Sequence, residues 1–236
     1  MKIRRYLPLK WLALFSLLGI ICFLGTVACK ENQKNQYEME PAYLKIGEKN
    51  ISVNYVMKID EKEVSLEEYR YHFLNMKKTM EDTDESCFIN DTDGSSQRRL
   101  KSDTLTALRE VYAIEKLAKK NKLALSQQEK EKINTDIKNQ VHSLGSASAY
   151  KQALQASYMT NAIYQKIWET TFYYEKLYQY YFPGDKSADY ETRQQLNQDE
   201  AIKNEVSLQA MIAEAADSLI VEYGPEYDLI SIDSLY

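Results

Sequence analysis

The chain has 236 residues, of which 44% are hydrophobic and 28% charged, a composition typical of a folded globular protein. Thirty Lys and Arg residues against 35 Asp and Glu residues give a net charge of −5, which argues against a dedicated nucleic-acid binder. Two His and three Cys residues leave little material for a zinc site or a disulfide framework, so no metal site and no cofactor is predicted.

The first 28 residues predict a signal peptide of the lipoprotein type. Basic residues at the start are followed by an uncharged apolar run, Trp11 to Ala28, which is the pattern of a secretory signal. Cys29 comes directly after small residues, which resembles a bacterial lipobox, although Thr26 stands where that motif usually has Leu. The resemblance implies that Cys29 is lipidated and becomes the N-terminus of the mature chain.

An uncleaved membrane anchor is the alternative, because the apolar run is nearly long enough to span a bilayer. Both interpretations place the rest of the chain outside the cytoplasm and attached to a membrane. The mature chain would carry a net charge of −9, so anionic lipids would not attract it and attachment would depend on the lipid. Residues 29–50 are predicted to be the lipidated cysteine with a polar tether, and residues 51–236 a single domain.

The domain is predicted to begin with a strand over residues 53–60 and a short return strand at residues 63–64. Ser65 and Glu68 then form a capping-box pattern, in which Ser65 accepts from a free helix N–H and Glu68 reaches back to Ser65. This helix is expected to end near Met80. The acidic segment 81–97 is expected to be a loop, and its calcium-loop pattern fails on spacing.

Apolar periodicity and helix caps predict five more helices. They cover about 98–120, 126–141, 149–155, 160–181 and 199–217, with a second capping box at Ser126 and Glu129. Two short strands at 219–223 and 228–233 are expected to pair with residues 53–60. The predicted fold is therefore mostly α with a small β element, an α+β fold in which N- and C-terminal strands join in one small antiparallel sheet.

Three stretches of this pattern resemble the N-terminal chaperone domain of SurA/PrsA-type extracytoplasmic foldases. They are Val56–Tyr69, with a strand, an acidic turn and a Ser-Leu-Glu-Glu-Tyr helix start; Leu105–Ile133, with Ala-Lys-Lys before a Ser-x-x-Glu cap; and Leu144–Leu154, with its Gly-Ser step. The resemblance covers about residues 52–182. It implies a SurA N-terminal-like helical domain, completed by residues 199–233, that binds unfolded polypeptide segments without ATP.

Members of that family commonly carry a parvulin-type prolyl isomerase module after the long helix, and here a short polar link, residues 183–198, follows instead. Both histidines, His72 and His142, precede that point, so no isomerase module and no enzymatic activity is expected. No phosphate-binding loop, dinucleotide-binding motif or nucleophile elbow is found in the sequence. His72 is predicted to be a structural or exposed histidine.

The tyrosines, 19 in all, are the best functional signal that remains. A stripe along the helix at 160–181 has two interpretations: a core seam, or a surface that holds diverse peptides through large rings with a water-tolerant hydroxyl. The stripe contains Tyr164, Ile167, Thr171, Tyr174, Tyr178 and Tyr181. The candidate peptide-binding residues are Trp168, Phe172, Tyr173, Tyr174, Tyr178 and Tyr180, of which Tyr173 and Tyr180 lie beside the stripe.

Two functions follow as expectations. The first is a membrane-tethered, ATP-independent chaperone whose partners are unfolded or partly folded secreted and envelope polypeptides. The second is a binding or assembly lipoprotein dedicated to one folded envelope partner. Weak, sequence-tolerant binding would mark the first, and a saturable, specific complex would mark the second.

Overall fold

A computed structural model describes residues 41–89, 91–183 and 199–235 of the chain. The predicted signal peptide, Cys29 and most of the link between the last two helices lie outside the described residues. Among the described residues, the elements in chain order are β1 (Leu44–Ile46), β2 (Lys49–Ile51), β3 (Met57–Ile59), β4 (Lys62–Val64), α1 (Leu66–Thr83), α2 (Ser95–Lys120), α3 (Gln127–Ser143), α4 (Ala147–Ala156), α5 (Asn161–Tyr181), α6 (Asp199–Asp217) and β5 (Val221–Tyr223). The prediction of a mostly helical fold with a small β element is confirmed.

Local capping explains where several helices begin. At α3 the capping box is complete, because Ser126 Oγ accepts from the Glu129 N–H at 3.2 Å and the Glu129 carboxylate accepts from the Ser126 N–H at 2.6 Å. The start of α2 at Ser95 is earlier than predicted. The Asp91 carboxylate accepts from the N–H groups of Ser96 and Gln97 at 2.9 and 3.0 Å, which stabilises the first turn.

The two ends of the domain meet in a three-stranded antiparallel sheet with the order β4-β3-β5. Met57 pairs with Tyr223 and Ile59 with Val221, so the predicted closing sheet is confirmed. Gly224 follows β5 at a point of close approach, where an added Cβ would lie 2.4 Å from the Tyr55 carbonyl oxygen. Only glycine fits there without a shift of the backbone.

Three expectations about the ends of the domain are wrong. The strand predicted from residue 53 begins only at Met57, and residues 228–233 are not a strand but overlap a 3₁₀ turn at Tyr227–Leu229. Residues 44–50, expected in the polar tether, form the β1–β2 hairpin together with Ile51. Leu44 is fully buried and bridges to Leu235, so burial against the C-terminus orders a segment whose sequence is mostly polar.

Two apolar clusters form the core. The first lies between the β4-β3-β5 sheet, α1, α2, α6 and the C-terminal half of α5. The second lies between α3, α4 and the N-terminal half of α5, and Tyr71 of α1 contributes to it. Both α5 and α1 therefore contribute side chains to the two clusters and connect them.

Candidate functional site

The tyrosine stripe of α5 is part of the core. Tyr164, Tyr174 and Tyr178 are each at most 8% exposed. The Tyr164 hydroxyl donates to the Asp136 carboxylate, and the Tyr174 hydroxyl donates to Glu205 on α6. The core-seam interpretation therefore describes these tyrosines. As a correction to the candidate peptide-binding set, Tyr174 and Tyr178 are enclosed by other helices and offer no surface to a ligand in this structure.

The four other candidates form two separate pairs. Trp168 and Phe172 lie 5.9 Å apart, are half-buried and pack against the second core cluster. Tyr173 is half-buried against the first cluster, while Tyr180 is 51% exposed. At 3.6 residues per turn the two pairs are separated by roughly 110° around the helix axis, so they do not form one surface.

Tyr180 stands at the rim of a shallow cleft where α5 passes the end of α2. The cleft has a volume of about 420 Å³ and is lined by Lys122, Leu123, Ala124, Lys176, Gln179 and Tyr180. The ring of Tyr181 supports that of Tyr180 edge-on, with 5.1 Å between ring centroids, and Asn121 Nδ2 donates to the Tyr181 hydroxyl at 3.0 Å. Lys176 is paired with Glu129 at 3.0 Å, so a supported aromatic ring beside Lys122 can hold an apolar side chain next to a carboxylate.

A second cleft of about 360 Å³ lies where α1 and α5 begin. Its walls include Glu68 and Lys166, whose carboxylate oxygen and ammonium nitrogen are 2.6 Å apart. Tyr112 of α2 donates to the other oxygen of Glu68 at 3.3 Å, and the Lys166 nitrogen lies 4.0 Å from the centroid of the Tyr112 ring. The expectation that Glu68 reaches back to Ser65 is therefore wrong; only the Ser65 half of that box forms, at 3.2 Å.

His72 lies one helical turn beyond Glu68 and is buried. Burial lowers the pKa of His72 to about 3, and the positive charge of Lys166 adds to that effect. His72 is consequently a neutral, structural histidine at pH 7, as predicted. Burial against Tyr71, whose ring lies edge-on at 5.2 Å, fixes its place in the core.

The part of the chain that the structure describes contains neither a candidate metal site nor a reactive cysteine. No group of three His, Cys, Asp or Glu side chains there is placed to hold a metal ion. Cys87 is a free, half-buried cysteine before α2, and burial raises the pKa of its thiol, which lowers its reactivity. No local sequence pattern predicts the contact between Glu68, Tyr112 and Lys166, because they lie on three different helices.

Comparison with family models identifies the family to which the chain is similar. The model of a family described as the SurA-like N-terminal domain matches residues 4–178, about three quarters of the chain. No curated protein and no solved structure shows a significant match. Within residues 41–89, 91–183 and 199–235, no helix is long and apolar enough to cross a bilayer.

Proposed function

The chain belongs to the family of SurA-like N-terminal domains, and we propose that it is a membrane-tethered, extracytoplasmic chaperone that binds unfolded segments of secreted or envelope proteins. The family is of chaperone type and its members are typically extracytoplasmic.

The observation that carries client binding is the cleft beside Tyr180. Its aromatic ring is 51% exposed yet held by Tyr181, so little side-chain entropy is lost when a ligand contacts it. Lys122 is exposed at the same cleft, whereas Lys176 is half-buried and paired with Glu129 at 3.0 Å. Clients that suit this surface are extended segments with an apolar or aromatic residue next to Asp or Glu.

The proposed activity needs neither ATP nor prolyl isomerisation. Residues 182–198 separate α5 from α6, and an interval of 17 residues is far too short for a parvulin module. A domain needs on the order of 50 residues or more to form its own core. The proposed client binding is therefore carried out by the folded domain itself, with no isomerase module between α5 and α6.

Attachment to a membrane is proposed to occur through a lipid on Cys29. Support comes from the basic start, the apolar run and the small residues before Cys29. The net negative charge of the chain also favours a lipid anchor over electrostatic attraction to anionic headgroups.

A fluorescence anisotropy titration tests the proposal. The mature chain, carrying Cys29→Ser so that it stays in solution, is titrated into a labelled secreted polypeptide that is permanently unfolded. The folded form of the same polypeptide is the reference. We expect binding of the unfolded form alone, with a dissociation constant on the order of tens of micromolar, and about fivefold weaker binding by Tyr180→Ala.

Tyr158→Ala is the matched control, because Tyr158 is 49% exposed but lies in the connection between α4 and α5. It should bind the unfolded polypeptide as the parent does. No binding of unfolded polypeptide up to about a millimolar would overturn the chaperone proposal. A stable complex with a single folded envelope protein would then favour the dedicated binding or assembly lipoprotein.

A further inference from the structure

The outer edge of β5 is unpaired. β5 pairs with β3 on one side, and in the order β4-β3-β5 it is the last strand of the sheet. No strand within the described ranges pairs with its other side. An edge of this kind presents N–H and C=O groups that can template the addition of another strand.

Hydrogen bonds at both ends of β5 fix which of its residues face β3. The Ile220 carbonyl accepts from the Asp60 N–H at 2.7 Å, and the Gly224 N–H donates to the Val56 carbonyl at 2.8 Å. Bonded residues alternate along an antiparallel ladder, so Glu222, midway between these points, is the residue of β5 that bonds to β3.

Val221 and Tyr223 therefore direct their backbone groups away from β3. In the described part of the chain, no hydrogen bond reaches the N–H or C=O of either residue. Two donors and two acceptors are thus available along the outer edge, in the spacing that an added antiparallel strand requires. Val221 is half-buried and Tyr223 is 52% exposed, so the edge begins at the core and opens towards solvent.

Apolar side chains flank this edge on both faces of the sheet. Ile220, just before β5, is 67% exposed. Tyr223 stacks on Tyr227 with 4.2 Å between ring centroids, and Tyr227 lies edge-on to the buried Tyr69 at 6.1 Å. The aromatic stack is consequently fixed to the core, and it can contact alternate side chains of an added strand without being ordered first.

We infer that the outer edge of β5 binds an extended segment of an unfolded client polypeptide, which adds to the sheet as a fourth strand beside Val221 and Tyr223. The inference rests on the proposed chaperone function and names the client backbone as the feature recognised. Main-chain hydrogen bonds supply affinity independently of sequence, as strand addition does generally. A chaperone for many clients needs to bind segments of different sequence.

Charge favours a client over a second copy of this chain. Antiparallel pairing of β5 with its own copy, centred on Glu222, would place two Glu222 side chains directly opposite each other, which is destabilising. Glu226 and Asp228 follow closely and add to the negative charge. A client strand with Lys or Arg opposite Glu222 meets no such repulsion, so basic extended segments fit this edge best.

Synthetic peptides and two variants at one position test the inference. The probe is a labelled peptide of about ten residues that alternates Thr and Val around a central Lys, enough to span β5 at ~3.4 Å per residue. One matched peptide carries N-methyl groups at alternate residues, and another has Glu in place of Lys. Val221→Pro removes an outward N–H, whereas Val221→Thr keeps it with a similar side-chain shape.

The peptides are compared on the mature chain carrying Cys29→Ser and Tyr180→Ala, which weakens the cleft that suits acidic segments. We expect the Lys peptide to bind this protein, and the N-methylated and Glu peptides to bind at least fivefold more weakly. Val221→Pro should weaken binding about tenfold, and Val221→Thr less than twofold. Circular dichroism checks that the proline variant is folded. Amide hydrogen exchange of the unsubstituted sequence gives a second readout: peptide should slow exchange at Val221 and Tyr223.

Unchanged exchange at both amides, while unfolded polypeptide still binds, overturns the edge inference and leaves the chaperone function standing. A parent that binds no unfolded polypeptide overturns both. Slow exchange at Val221 and Tyr223 without peptide, strengthening as protein concentration rises, would assign the edge to a second copy and also overturn the inference.

Discussion

The Glu68 carboxylate and the Lys166 ammonium group form an ion pair at 2.6 Å that joins the first turn of α1 to the first half of α5. Tyr112 adds α2 to the same cluster through its hydroxyl and the face of its ring. Glu68 is mostly buried while Lys166 remains about one third exposed. The pair therefore orients three helices around the cleft where α1 and α5 begin.

Lys166→Met should lower the free energy of unfolding by about 2–3 kcal/mol, because it leaves the charge of Glu68 buried without its cation. Urea unfolding followed by circular dichroism measures the change. Lys119→Met is the matched control, since Lys119 pairs with Glu115 on the exposed side of α2. That substitution should cost less than about 1 kcal/mol. Equal effects of the two substitutions would contradict the structural role of the Glu68–Lys166 pair.

Acid should destabilise the protein partly through His72. The pKa of this side chain is about 3 in the folded protein, against an ordinary value of 6.5 in the unfolded chain. Between these values the unfolded chain binds a proton that the folded chain refuses, so stability is greatest above pH 6.5 and falls as the pH is lowered towards 3. The loss approaches about 1.4 kcal/mol per pH unit.

His72→Phe removes the side chain that takes up this proton, so the free energy of unfolding should depend less on pH. Between pH 7 and pH 4.5, we expect the parent to lose roughly 2 kcal/mol more unfolding free energy than the variant, measured by urea unfolding at each pH. Parallel curves for the two proteins would show that His72 becomes protonated without unfolding. Because the slopes of unfolding free energy against pH are compared, a pH-independent change in stability caused by the phenyl ring does not affect the result.

Gly224→Ala should weaken the closure of the sheet. The new methyl group would meet the carbonyl oxygens of Tyr55 and Val56 at 2.4 and 3.0 Å, so backbone must move at the point where β5 leaves β3. We expect a loss of about 1–3 kcal/mol in unfolding free energy. Gly47→Asn is the control: nothing lies within 4 Å there, and Asn tolerates the φ of +61°. A smaller effect at Gly224 than at Gly47 would refute the argument.

Cys29→Ala should release the protein from the membrane. If the cysteine carries the lipid, the variant loses its acyl chains and an acidic chain has no other strong attraction to anionic headgroups. Fractionation of cells into membrane and soluble material measures the distribution. A variant that remains in the membrane fraction would favour the uncleaved apolar run as the anchor.

The helices were predictable because the signals that begin them are local. Ser126 and Glu129 lie three residues apart, and both halves of their capping box form. The predicted bounds of the last helix are those of α6 in the structure. β5 was also predictable, since its short apolar run ends at a Gly-Pro turn.

The β1–β2 hairpin was not predictable in the same way, because long-range contacts stabilise it. The Lys45 N–H donates to the Ser234 carbonyl at 2.8 Å, and nothing near Lys45 in sequence indicates that partner. The tyrosines of α5 show a related limit. Helical spacing identifies Tyr174 and Tyr178 as one face, but only the packing of α6 shows that this face is buried.

The contacts between β1 and the last residues of the chain would also limit how far the domain can stand from a membrane if Cys29 is the anchor. With the proposed anchor at Cys29 and the fold beginning at Ala42, the intervening residues can span at most about 45 Å. Opening the Leu44–Leu235 bridge and the hairpin would release chain up to Val56, which β4 holds through a 2.8 Å hydrogen bond. The reach would then roughly double, so the contacts of the C-terminal residues with β1 would limit the distance between the membrane and a domain anchored at Cys29.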